Sequence, residues 1–244
     1  MGSPLPSEDI RASLDRVRSL IAASAARTGR DPASIRLIAV SKTFPSQKIV
    51  EAYHCGQRDF GENRVQEFRE KFDQLRLPQG LPEAKFHLIG HLQSNKVSQA
   101  VAFDWIETLD SERLARRLND AAAQAGKIMP VLIEVKLSAE LTKTGASEPE
   151  AVALAAAIAS LPHLELRGLM TIPPHTPEPE DARAYFRRLR EFRDRLRQQG
   201  FPRCEELSMG MTRDFPIAIE EGATMVRIGT AIFGPRTRPS EPRP

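Results

Sequence analysis

Residues 35–56 read IRLIAVSKTFPSQKIVEAYHCG, and the fold turns on how this stretch is read. Ile35–Val40 is a continuous apolar run of strand length, and Pro45–Gly56 reads as a helix closed by glycine. A strand that is apolar on both faces has to be covered on both faces. That favours a parallel sheet packed between helices over a half-solvated antiparallel one.

The same unit recurs outward from this stretch. Before it, Ile10, Leu14, Val17 and Ile21 repeat at helical spacing from Ser7 until Gly29, which predicts a leading helix. After it, strands are expected at Asp59–Gly61, Phe86–Ile89, Trp105–Leu109, Val131–Val135, Leu166–Ile172, Glu206–Ser208 and Met225–Ile228. Helices are expected between them, at Asn63–Leu75, Asn95–Ala102, Glu112–Ala125, Ser147–Ser160, Asp181–Gln199 and Phe215–Glu221. Ser147-Glu-Pro-Glu150 has the spacing of a capping box. Eight alternations in about 210 residues favour one closed (β/α)8 TIM-type barrel with an extra N-terminal helix over an open doubly wound sheet. The barrel is assigned to residues 7–234. Residues 1–6 and 235–244, rich in proline and charge, are expected to be flexible tails.

Composition narrows the function classes. With 41% hydrophobic residues the 244-residue chain can bury a full core, which excludes wholesale disorder. Lys+Arg 35 against Asp+Glu 32 leaves only +3, too balanced for a dedicated polyanion binder. Cys55 and Cys204 are too few for a disulfide scaffold and lack metal-ligand spacing. No apolar run is long enough to span a bilayer, and Met1–Ile10 lacks the pattern of a signal peptide, so a cytoplasmic protein is expected.

In such barrels chemistry collects at the strand C-termini. The first strand ends in Val40-Ser41-Lys42-Thr43, which puts Lys42 at the mouth. Partial desolvation there disfavours the ammonium form, and a neutral amine can attack an aldehyde. The position equally suits a lysine that snorkels to solvent, so position alone leaves both readings open. The last two strands end in Ser208-Met209-Gly210 and Arg227-Ile228-Gly229-Thr230. Loops after strands seven and eight commonly hold a phosphate, and Gly229 with the hydroxyls of Ser208 and Thr230 would suit one. The alternative is that these residues only build tight turns. His87 and His91 diverge on a strand leading into a turn and have no third partner, so no metal is expected.

Taken together, AVSKTFP (39–45), FGENRVQE (60–67), FHLIGHLQSNK (86–96), TKTG (142–145), GLMTIPP (168–174), LSMGMTRDF (207–215) and VRIGTAIFG (226–234) resemble the pyridoxal 5′-phosphate homeostasis proteins. That family's barrel is like the N-terminal domain of alanine racemase. The resemblance implies pyridoxal phosphate as cofactor, with Lys42 forming the Schiff base. It also implies that Ser208, Gly229 and Thr230 hold the phosphate, and that Arg227 faces the pyridine nitrogen. Asn63 and Met209 would line the site, and Lys143 would serve a second cofactor site. The implied function is intracellular vitamin B6 homeostasis by a monomer, with apo-enzymes as partners.

A fixed cation opposite the ring nitrogen disfavours its protonation, and an unprotonated ring is a poorer electron sink. Racemases of this fold add a tyrosine from a second domain. Here Tyr53 and Tyr185 fall in helices, and no such domain is expected. A non-catalytic carrier is therefore favoured over the alternative, a weak amino-acid racemase. A remoter alternative is RNA binding through the arginine-rich helix at 181–199. The acids Asp181, Glu191 and Asp194 are interleaved there at pairing distance, which favours a solvated outer face.

Overall fold

The computed structural model describes residues 9–75, 80–138, 144–174 and 176–235. Eight parallel strands close on themselves in chain order: β1 (Arg36–Val40), β2 (Asp59–Glu62), β3 (Lys85–Leu88), β4 (Trp105–Leu109), β5 (Met129–Glu134), β6 (Leu164–Met170), β7 (Glu206–Ser208) and β8 (Met225–Ile228). β1 pairs with both β2 and β8, so the barrel has no free edge. The helices are α1 (Ile10–Ala26), α2 (Ser46–His54), α3 (Val65–Leu75), α4 (Val97–Ala100), α5 (Glu112–Gln124), α6 (Glu148–Ala159), α7 (Arg183–Gln198), α8 (Phe215–Glu220) and α9 (Thr230–Phe233). This is the expected (β/α)8 barrel with its leading helix.

Local chemistry explains the boundaries. Asp9 caps α1 by accepting the Arg11 N–H, and Ser147 and Glu150 complete the expected capping box on α6. The helix expected at Asp181–Gln199 starts as a 3-10 turn at Pro179–Ala182 and becomes α-helical at Arg183. Strands β5 and β6 both begin two residues earlier than expected, where Met129 pairs with Leu164. α9 is a short helix at Thr230–Phe233, where the sequence alone predicts only a loop. The expected tails fall outside the described residues except for Pro235.

Side-chain alternation divides the barrel interior into levels. Ile38, Trp105, Leu132, Met170 and Met225 form a small apolar cluster separate from the main core. Two residues further along the same strands stand Val40, Glu107, Glu134, Ile172 and Arg227, on the same inward side and nearer the mouth. The interior thus has an apolar layer below a charged one under the opening, and Arg36, Asp59 and Glu206 pair again at the N-terminal ends of the strands. Two glycines permit the close approaches around this interior. A Cβ on Gly168 would lie 2.0 Å from the Glu206 carbonyl oxygen, where β6 meets β7. Gly210, at φ +90°, would place one 2.6 Å from the Ala218 Cβ. No helix among the described residues is long and apolar enough to cross a membrane.

Candidate functional site at the barrel mouth

A cavity of about 470 Å³ opens at the C-terminal ends of the strands. Lys42 enters it from the turn after β1, and Arg227, Gly229 and Thr230 enter from β8 and the residues that follow. Ile89, Ile172, Pro173 and Pro174 form apolar walls. The β7–α8 loop adds Met211, Thr212 and Asp214. The structure therefore brings four of the expected site residues to one cavity. Thr212 is a lining hydroxyl to which sequence reasoning assigned no role.

Gly229 is informative because the fold does not require it. Its φ is −113°, and an added Cβ would make only ordinary contacts, at 3.4 Å from Val40. The missing side chain leaves room at the cavity wall, as expected where a ligand lies close to the backbone.

Three other expected residues lie off the cavity. Met209 is fully buried in the main core. Asn63 packs against Gly90, and its buried Oδ1 has no hydrogen-bond partner among the described residues. Ser208 is fully buried below the cavity, where its hydroxyl donates to Glu107 Oε2 at 2.6 Å and accepts from Arg227 Nη1 at 2.6 Å. Lys143, the candidate for a second cofactor site, lies outside the described residues.

The charged level beneath the mouth is a continuous chain of partners. Arg227 is 3% exposed and donates through Nη2 to the Thr171 carbonyl at 2.9 Å. Burial pushes its pKa below the ordinary arginine value, against the attraction of Glu107, Glu134 and Asp214. The guanidinium still carries its charge at neutral pH. Beyond Glu107, His87 Nδ1 faces Glu107 Oε1 at 2.7 Å and His87 Nε2 faces Asp59 Oδ1 at 3.0 Å. With both carboxyls ionised, each ring nitrogen donates and His87 is an imidazolium. Burial opposes that charge, but hydrogen bonds and attraction from Asp59 and Glu107 outweigh it and raise the pKa above 6.5. Burial likewise opposes the Glu107 charge, and His87, Arg227 and Ser208 together hold its carboxyl below the usual range.

This arrangement has a sign that can be measured. A raised histidine pKa makes the folded chain hold a proton that the unfolded chain has lost. The stabilisation is complete below about pH 6.5 and declines as pH rises through the folded value, by about 1.4 kcal/mol per pH unit within that window. Imidazole ¹⁵N shifts should show both His87 nitrogens protonated at pH 7. A neutral ring at pH 7 would show that a shared carboxyl proton, not an imidazolium, joins the three groups.

The other sequence features resolve away from the mouth. His91 points outward, 3.5 Å from Asp110, and shares no site with His87. Each of the seven arginines of α7 is ion-paired. Arg183, Arg187 and Arg190 converge on Glu221, and Arg188 and Arg195 share Glu148. Arg193 meets Asp194, and Arg197 meets Glu205. Every cation of the row thus has an acidic partner, although in these pairs seven arginines share four carboxylates. Tyr53 and Tyr185 sit on α2 and α7, and neither lines the cavity.

Comparison with known proteins places the chain among relatives of the same fold. Residues 13–237 match the family described as alanine racemase, N-terminal domain. The chain is 46% identical over 235 residues to the pyridoxal phosphate homeostasis protein of Escherichia coli (strain K12), covering 93% of this chain and 97% of that protein. The structure of PipY from Synechococcus elongatus PCC7942 with pyridoxal phosphate bound superposes with a TM-score of 0.80 at 41% identity, covering 92% of this chain and all of that one. A Clostridium difficile alanine racemase superposes with a TM-score of 0.72 at 15% identity, over 98% of this chain and 64% of the racemase; it shares the fold.

Proposed function

Because the chain belongs to the alanine racemase N-terminal domain family, and within it to the pyridoxal phosphate homeostasis proteins, we propose that it binds pyridoxal 5′-phosphate at the barrel mouth. In this reading Lys42 holds the cofactor as a Schiff base. The protein is an intracellular carrier that takes part in vitamin B6 homeostasis and passes the cofactor to apo-enzymes. The observation that carries the reading is the meeting of Lys42, Arg227 and the Gly229–Thr230 segment in one cavity.

The donor set suits the cofactor's three polar groups. Lys42 offers an amine for the aldehyde, Arg227 a fixed cation for the ring nitrogen, and Thr212, Thr230 and the Gly229 backbone offer donors for the phosphate. The bound cofactor supplies an aldehyde that a neutral lysine amine takes up with loss of one water. The protein's own contribution is placement. Ser208 and Thr171 fix the Arg227 guanidinium, and the Ile89, Ile172 and proline walls keep the lysine partly desolvated. A permanently charged Arg227 would disfavour a proton on the ring nitrogen of a bound cofactor, which would make the ring a weaker electron sink. Neither tyrosine is placed to move a proton at the cavity. Both features favour holding the cofactor over turning over a substrate.

The test is a visible titration of the purified protein with pyridoxal phosphate, then borohydride reduction and peptide mapping. A yellow band and a single pyridoxyl adduct on Lys42 are expected, together with no sustained α-proton exchange from L- or D-alanine into solvent. A protein that stays colourless would sink the cofactor assignment. Exchange at enzyme-like rates would sink the carrier assignment alone.

A further inference from the structure

The turn that carries Lys42 is locally unfavourable and is held from outside. The Phe44 N–H closes it onto the Ser41 carbonyl at 3.1 Å, and its third residue, Thr43, has φ +68°. Glycine normally occupies such a position, and a β-branched residue is disfavoured there. Thr43 is the one non-glycine residue with positive φ among the described residues.

What holds it comes from α3 and β2. Lys71 on α3 is 8% exposed, and its Nζ reaches the Ser41 carbonyl at 2.9 Å, Glu62 Oε1 at 2.8 Å and Glu67 Oε1 at 2.8 Å. Ser41 Oγ donates to the same Glu62 oxygen at 2.7 Å. Glu67 Oε1 also accepts the Thr43 N–H at 2.5 Å. The residues on both sides of Lys42 are thus gripped by one charge cluster, buried at Lys71 and Glu62 and part-exposed at Glu67, which itself does not line the cavity. Burial opposes the Glu67 charge, but bonds from Lys71 and Thr43 outweigh it, so Glu67 remains an anion at neutral pH.

We propose that Lys71 and Glu67 are positioning residues that clamp the 41–44 turn in its left-handed form and so aim Lys42 into the mouth cavity. The inference rests on the assignment of Lys42 above. Neither residue touches the cofactor site, so each acts only through the backbone beside Lys42.

The test uses Glu67→Ala, Lys71→Met, and Thr43→Gly combined with Glu67→Ala. Glycine adopts φ +68° unaided, so it should restore what the loss of Glu67 removes. Two readouts are taken on full-length protein: the Kd for pyridoxal phosphate by visible titration, and hydrogen exchange of the Phe44 amide without cofactor. Glu67→Ala and Lys71→Met are each expected to raise Kd and speed Phe44 exchange at least about tenfold. Adding Thr43→Gly to Glu67→Ala should return both most of the way, a recovery that a purely structural role would not produce. Parent-like Kd and exchange in the single variants would overturn the clamp, as would a double variant no better than Glu67→Ala. If the parent's adduct maps elsewhere, the Lys42 assignment fails separately, and Phe44 exchange still decides the clamp.

Discussion

Lys42→Ala is expected to give a folded protein that forms no borohydride-stable adduct and binds pyridoxal phosphate at least about 100-fold more weakly, a loss of roughly 3 kcal/mol. Lys42 is half-buried at the cavity edge and no part of the hydrophobic core depends on it, so stability should change by less than about 1 kcal/mol. The remaining contacts, Arg227, Gly229 and Thr230, should still hold the phosphate and ring without the covalent link. Titration followed by mass mapping separates these contributions. Undiminished adduct in the variant would remove Lys42 from its role. Transfer of the adduct to Lys136 or Lys143 would move the primary site to the loop after β5.

The second large effect lies in the charged level under the mouth. Glu107 is fully buried and joins His87 to Ser208 and Arg227. Removing one member of a buried charge network leaves the others uncompensated in a dry interior, which costs about 3–5 kcal/mol. Glu107→Ala should therefore lower the unfolding free energy of the cofactor-free protein by that amount and its Tm by roughly 6–20 °C. Glu107→Gln keeps the shape and loses only the charge, so it should fall between. Urea unfolding at pH 7 checks both. A loss under about 1 kcal/mol in the alanine variant would mean that the interior is wet enough to solvate His87 and Arg227 independently.

Legibility in the sequence followed chemistry that is local. Apolar runs such as IRLIAV and MVRI, each followed by a glycine-closed helix or turn, are enough to predict a closed barrel. Strand-end position singles out Lys42 and Gly229 as candidates, whereas the role of Arg227 and the choice of a Schiff base for Lys42 come from the family resemblance. The supporting polar network was missed because its partners are far apart in the chain: Ser208 and Glu107 are 101 residues apart, and Ser41 and Lys71 are 30. A signal was available. Glu107 in WIETL, His87 in FHLI and Glu62 after FG each place a titratable group inside a short buried strand, where it needs a partner. Lys71 carried no signal, since a lysine in EKF on an amphipathic helix reads as solvated. Ser208 was placed correctly on its strand, but its hydroxyl turns inward to Glu107, a direction that composition does not encode.

Barrel closure also has a consequence for biosynthesis. β1 hydrogen-bonds to β8, and α1 packs against α8 and α9, so the first and last parts of the fold complete one another. While the ribosome is still translating, the β8-facing edge of β1 therefore has no partner from the time Val40 emerges until Ile228 follows. At ordinary elongation rates that interval is roughly 10–40 s. For that time the nascent chain carries an exposed apolar strand edge, the kind of surface that pairs with neighbouring chains. The demand on chaperones should therefore be set by the length of the chain between these two strands more than by the stability of the finished barrel.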